Sequence, residues 1–93
     1  MAAELLMDER VVLDADLFVE LVIWRLPRML PGSRHAFKYR LALVERGVCV
    51  LRYDNEAGKG DHRHWEQAEE PYRFTTPEAL LSDFWTDVNT RRK

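Results

Sequence analysis

The stretch Leu17-Phe18-Val19-Glu20-Leu21-Val22-Ile23-Trp24-Arg25-Leu26 decides the fold. Its β-branched and aromatic content favours a strand over a helix. At the two-residue period of a strand, Val19, Leu21 and Ile23 share one face, while Phe18, Val22 and Trp24 share the other, interrupted by Glu20. Both faces are largely apolar, which predicts a central strand covered on both sides. Upstream, Arg10-Val11-Val12-Leu13 is a short β-branched run, and Asp14-Ala15-Asp16 supplies turn chemistry between the two. Downstream, Pro27 ends the element and Pro31-Gly32-Ser33 marks a turn. A third strand is expected from His35 to Val44, with Tyr39, Leu41 and Leu43 on one face and Lys38, Arg40 and Ala42 on the other. Arg46-Gly47 forms the tip of a tight hairpin. In the returning strand Val48–Tyr53, Cys49, Leu51 and Tyr53 alternate against Val48, Val50 and Arg52.

The period changes near the end. Thr75-Thr76-Pro77-Glu78 is a helix start, with a hydroxyl cap, Pro in the first turn and an acid against the helix dipole. Leu80, Leu81, Phe84, Trp85 and Val88 follow at helical spacing. Arg91-Arg92-Lys93 suits the negative helix end and reads as a solvated, frayed tail. Strands followed by one helix give an α+β fold: an antiparallel sheet of about four to six strands with one C-terminal helix packed on a face. Residues 1–93 are expected to form a single domain, since 93 residues support one small core.

Composition narrows the function classes. With 46% apolar and 32% charged residues, the chain can fold. A net charge of −2 gives no global basic signature. The lone Cys49 excludes an intramolecular disulfide and a four-thiolate zinc site, and in Val48-Cys49-Val50-Leu51 it reads as a small core residue. No segment approaches the ~20 apolar residues of a membrane span. Met1-Ala2-Ala3-Glu4 lacks the basic start and apolar run of a secretory signal, so a cytoplasmic protein is expected.

The chemistry gathers in the middle. Residues 1–33 hold three basic and six acidic groups, whereas residues 34–73 hold eight basic and seven acidic groups plus all three histidines. Within Asp54-Asn55-Glu56-Ala57-Gly58-Lys59-Gly60-Asp61-His62-Arg63-His64 no phosphate-binding P-loop exists, because Gly58-Lys59 lacks the upstream Gly and the following hydroxyl. In an extended segment His62 and His64 share a face and Arg63 points away. Three readings stay open. The histidines are general acid and base on a phosphodiester, with Lys59, Arg63 or Arg73 stabilising phosphate charge. Alternatively they bind a metal with Asp54, Glu56 or Asp61. Or they make ordinary hydrogen bonds in a polar loop or edge strand. Around them, Arg34, His35, Lys38 and Arg40 form a candidate phosphate-tracking stripe. Asp54-Asn55 is turn chemistry or a strand-end site. Pro71-Tyr72-Arg73-Phe74 brings a phenol and a guanidinium beside the histidines, or is a short strand before the helix. Trp65 stacks a base or packs, and Trp24 and Trp85 are assigned to the core.

The block Arg52 to His64 resembles the TumE family of toxins from bacterial toxin–antitoxin pairs, long catalogued as a domain of unknown function. Glu20–Pro27, Gly32–Arg34 with His35 through Leu41, and Pro71–Phe74 with the terminal helix extend the resemblance over nearly the whole chain. It implies a small cytoplasmic bacterial protein neutralised by a helix-turn-helix antitoxin, and fixes no reaction. By analogy with other small toxins, the expected target class is RNA. The leading expectation is a ribonuclease working without metal or cofactor. His62 and His64 are its acid and base, Lys59 and Arg63 contact phosphate, and Tyr72 orients the scissile group. Arg73, Arg40, Lys38, Trp65 and Asn55 are the expected substrate contacts. The alternatives are a metal-dependent nuclease or hydrolase using Asp54, Asp61, His62 and His64, and a non-enzymatic protein acting by occupancy.

Overall fold

The computed structural model describes residues 2–92. Among these the chain forms six strands and one helix: β1 (Glu4–Asp14), β2 (Leu17–Arg25), β3 (Phe37–Glu45), β4 (Val48–Glu56), β5 (Gly60–Trp65), β6 (Ala68–Pro71) and α1 (Pro77–Arg92). The strands follow one another across a single sheet in chain order, and every neighbouring pair is antiparallel. This is the α+β architecture expected from the sequence. Strands extend further than their apolar runs. β1 begins at Glu4, and the Asp-to-His block is the β4–β5 hairpin rather than a loop.

Turn chemistry sets the register. Arg46 and Gly47 both have positive φ, 52° and 79°, as a two-residue type I′ hairpin turn requires. The β4–β5 turn packs backbone to backbone on the β2–β3 connection, where the Gly58 N–H donates to the Pro31 carbonyl at 2.6 Å. A Cβ on Gly32 would stand 3.0 Å from the Gly58 carbonyl carbon, at a φ of +83° that disfavours any side chain. A Cβ on Gly60 would likewise stand 3.1 Å from the Gly32 carbonyl oxygen, and Gly58 supplies the positive φ of 84° that the turn needs.

One face of the sheet meets α1. The Thr76 hydroxyl caps the helix, accepting from the Ala79 N–H at 3.0 Å, and Pro77 occupies the first turn. Leu80, Phe84 and Val88 are fully buried against Val19, Leu21, Ile23, Leu41, Leu43 and Leu51. Each such side chain contributes about 1.5–3 kcal/mol. Leu81 and Trp85 pack at the margin of this core, as their helical spacing implied. No helix among the described residues is long and apolar enough to cross a membrane.

Four expectations change. The second face of β2 is not covered: Phe18, Val22 and Trp24 are only half-buried on an open face, because one helix cannot cover both sides. Trp24 is accordingly not a core residue. Cys49 is half-buried and outside the core, because a bulge shifts the pairing from Leu43–Leu51 to Val44–Cys49 and turns Val50 inward instead. Arg91 is no frayed end. Its guanidinium reaches Glu66 at 2.6 Å and Glu45 at 3.3 Å, tying the last helical turn to two sheet turns. Lys93 of the expected basic tail lies outside the described residues.

Asn55 is the one fully buried polar side chain among the described residues, 2% exposed. Backbone pairing of β3 with β4 stops at Arg40–Asp54, and the Asn55 amide takes over beyond it. Its Oδ1 accepts from the Tyr39 N–H at 2.9 Å, and its Nδ2 donates to the Phe37 carbonyl at 2.6 Å. Asn55 is thus a clamp between strands. We expect Asn55→Ala to cost about 1–3 kcal/mol, the penalty of orphaning buried backbone groups. Chemical denaturation checks this, and an unchanged midpoint would refute the clamp.

Candidate functional site

The pleat sorts the polar block onto two faces. On the open face, cross-strand pairs place Trp24 beside Lys38, Val22 beside Arg40, Arg40 beside Asp54, Asp54 beside His62, and Arg52 beside both Ala42 and His64. Glu69 of β6 stands opposite His64. These side chains line a shallow cleft of about 540 Å³, with Lys59 and Glu56 at its rim.

His62 and His64 share this face, with ring centroids 6.4 Å apart. Their surroundings differ. The Arg52 Nη2 lies 3.2 Å from the His64 Nε2. A guanidinium only donates, so that nitrogen must offer its lone pair and the ring proton sits on Nδ1. The Nδ1 faces the Glu69 Oε2 at 3.6 Å. The Asp54 Oδ1 also stands 3.6 Å from the Nε2, beyond direct hydrogen bonding, while Asp54 Oδ2 holds the Arg52 Nε at 2.9 Å. His62 shares the Glu69 carboxylate, with its Nε2 3.8 Å from the Oε1. The pair is asymmetric in one respect: a guanidinium meets the His64 ring, and none among the described residues meets the His62 ring.

The cations divide as well. Arg52 is held by Asp54, and Lys59 by Glu56 at 3.2 Å. The Lys59 ammonium keeps the Glu56 carboxyl below its ordinary value. Lys38 and Arg40 are exposed and make no ion pair among the described residues.

Several expected site residues lie across the sheet from the histidines. Arg63 points to the helix side, where its Nε donates to Asp87 at 2.6 Å and its Nη1 meets Glu70. The Asp87 hydrogen bond is the largest cause raising its pKa, so Arg63 is locked in an ionic network. Trp65 packs against the core on this side, under the Arg63 guanidinium at 4.9 Å. Tyr72 donates to Asp83 at 2.6 Å, and exposed Arg73 borders a separate cleft with His35 and Asp61. Asp61 accepts from the Tyr39 hydroxyl at 2.8 Å and from the His35 Nε2 at 2.8 Å, while His35 stacks on Phe74 at 3.9 Å. The metal set expected from spacing is therefore split, with Asp61 on the far face. Among the described residues no three His, Cys, Asp or Glu side chains are grouped to hold a metal. Of the Arg34–Arg40 stripe, only Lys38 and Arg40 reach the open face.

Arg52 and Trp24 are the site residues that spacing alone missed. Arg52 was legible once Ala57-Gly58-Lys59 is read as a hairpin turn, since the register then sets it against His64. Trp24 was hidden by the assumption that both faces of β2 are covered.

Fold and site together define a small α+β protein with one naked, cation-bearing sheet face centred on a histidine pair. Residues 2–92 match the family model described as Toxin TumE, so the chain belongs to the TumE toxin family. No curated protein and no solved structure matches it.

The polar contacts beneath the helix have a pH signature. Burial first, and then hydrogen bonding to Asp61 and Asp87, raise the pKa values of Tyr39 and Tyr53 above that of a free tyrosine. Both are nearly fully buried, at 3% and 2% exposure. The unfolded chain therefore releases these protons near pH 10 while the folded chain keeps them. Stability is fully present below pH ~10 and falls above it, by about 1.4 kcal/mol per pH unit for each tyrosine. We expect Tyr53→Phe to flatten that decline in a pH series of denaturation curves. An unchanged slope would count against it.

Proposed function

We propose that this toxin acts on RNA in the cytoplasm, as a ribonuclease that uses its two open-face histidines and no metal. The observation that supports this reading most is the asymmetry of the pair. His64, with a lone pair on Nε2, suits a general base. His62, with no guanidinium beside its ring, is left as the general acid. The RNA 2′-OH gives its proton to the His64 Nε2. Its oxygen forms a bond to the adjacent phosphorus, and the bond from phosphorus to the 5′-oxygen breaks. His62 donates the proton that the departing 5′-oxygen takes up. The products are a 2′,3′-cyclic phosphate and a 5′-hydroxyl.

Arg52 links binding to chemistry in this scheme. A phosphate entering the cleft competes for its guanidinium and draws it from His64, freeing the lone pair. Arg40 and Lys59 add positive charge where the pentavalent phosphorus becomes more anionic. Arg63, Tyr72 and Trp65 have no contact role here, since they face the helix. They hold the strand that carries the histidines. The neutralising partner would be a helix-turn-helix antitoxin, as the family resemblance implies.

Induced expression of the wild type should stop growth. His62→Ala/His64→Ala, matched for soluble level, should not. Purified enzyme should cleave RNA in excess chelator and leave cyclic-phosphate ends. Each single histidine substitution should lower the rate about 10²–10⁴-fold. The wild-type rate should be bell-shaped in pH, with His64→Ala removing the acidic limb and His62→Ala the alkaline limb. Full toxicity in the double variant would sink the assignment. Loss of cleavage in chelator, restored by one metal, would favour the metal-dependent alternative.

A further inference from the structure

The open face carries more than the histidines need. Phe18 is capped by the Arg10 guanidinium at 3.9 Å, but among the described residues no ring or guanidinium stacks on Trp24. Trp24 is half-buried in the cleft wall, beside Lys38 in the register. Lys38 and Arg40, one pleat apart on β3, are held by no carboxylate among the described residues, whereas Arg52 and Lys59 are paired and Arg10 lies over Phe18. β2 and β5 are three strand spacings apart, roughly 14 Å across the sheet. The register sets Trp24 and Lys38 on one rung, Arg40, Asp54 and His62 on the next, and Arg52 and His64 on the third, so indole, unpaired cations and histidines run diagonally across the strands.

We infer that this face is a platform for single-stranded RNA: an unpaired base stacks on Trp24, the following phosphates meet Lys38 and Arg40, and the chain reaches His62 and His64. The inference rests on the ribonuclease reading for its final step only. The ring decides strandedness. Bases of a duplex are stacked on each other, and A-form RNA offers proteins its phosphates and 2′-hydroxyls. A flat aromatic on an open sheet is of use only to an unpaired base, for which stacking is a large and sequence-tolerant contribution. Charge complementarity points the same way. The acids around the histidines, Asp54, Glu56 and Glu69, each neighbour a cation or a histidine, Glu20 stands opposite Arg10 in the register and Asp8 lies on β1 at the far edge, which leaves the positive charge of Lys38 and Arg40 for an anionic strand. The 2′-OH required by the histidine chemistry makes that strand RNA rather than DNA.

The test uses full-length protein carrying His62→Ala/His64→Ala, so that a fluorescently labelled 12-nucleotide RNA stays intact while its anisotropy is read. The single strand should bind at least ten-fold more tightly than the same sequence as a duplex. Trp24→Leu should weaken it by about ten-fold or more, and Trp24→Phe should retain most of the affinity. Lys38→Ala/Arg40→Ala should reduce the slope of log affinity against log salt by about 1.4, two phosphates at ~0.7 each. Both of these residues are exposed, so that variant reads binding even if Trp24→Leu fails to fold. Equal affinity for the duplex, unchanged binding by folded Trp24→Leu, or an unaltered salt slope would overturn the platform. Cleavage by the wild-type histidines separates the two ideas. If wild type cleaves and Trp24→Leu cleaves with the same KM, the platform falls and the ribonuclease stands. If the strand binds through Trp24 but wild type never cleaves it, the ribonuclease falls and the platform stands.

Discussion

One helix has two sheet faces to cover and can cover only one. α1 has 16 residues and is ~24 Å long, about the width of six strands, so it suffices for one face. Its Leu80, Phe84 and Val88 stripe buries the face carrying Val19, Leu21, Leu41, Leu43 and Leu51. The other face stays in water, so its residues answer to a different requirement. Apolar residues such as Val12, Phe18, Val22 and Trp24 gather toward β1 and β2, and the β3–β5 part carries lysine, arginine, histidine and carboxylates. Among the described residues no second layer covers the open face, and it is the surface on which charged side chains cost least to keep.

That arrangement depends on the β4–β5 hairpin keeping its register, including the tip that lies beyond the apolar core. Three devices hold them. Asn55 continues the β3–β4 pairing where the backbones part. The glycine contact at Gly32 and Gly58 fixes the hairpin tip against the β2–β3 connection. Beneath the helix, Asp87 gathers Tyr53 and Arg63, while Asp83 takes Tyr72. Each is polar, and each is satisfied, as burial demands. The region next to the histidines is therefore rigid through directional bonds where the apolar core thins out. Such bonds fix register more sharply than apolar contact does, and a one-residue slip of β5 would send both histidines under the helix.

The sequence made most of the strands and the helix legible, because hydrophobic period is a local signal. The faces of β3 and the Thr76 cap could be read from a few neighbouring residues. The open face could not. Whether Val22 and Trp24 meet a second layer depends on how many helices the whole chain owns, which no window around β2 contains. Cys49 was misplaced for a related reason, since a bulge breaks the alternation from which burial was inferred. Within the site, the shared face of His62 and His64 followed from the pleat alone. The placement of Arg52 needed the hairpin register, that of Tyr72 needed its partner Asp83, and the clamp made by Asn55, which also lines the cleft, needed the β3 backbone. Proximity in sequence put Tyr72 and Arg73 near the histidines, and the fold then turned them to other surfaces.

β5 shows this division within six residues. Asp61, Arg63 and Trp65 face the helix and are tied to Tyr39, Asp87 and the core. His62 and His64 face water and touch only Arg52 and the carboxylates Asp54 and Glu69. Alternate residues of one strand thus do different jobs, with the odd ones anchoring and the even ones presenting. The anchors lack direct access to the cleft, so the free energy they contribute enters as position. The histidines of the cleft meet polar partners rather than the apolar core. A motif that looks like one continuous cluster of catalytic side chains is, in physical terms, a structural half and a chemical half interleaved at the period of the pleat.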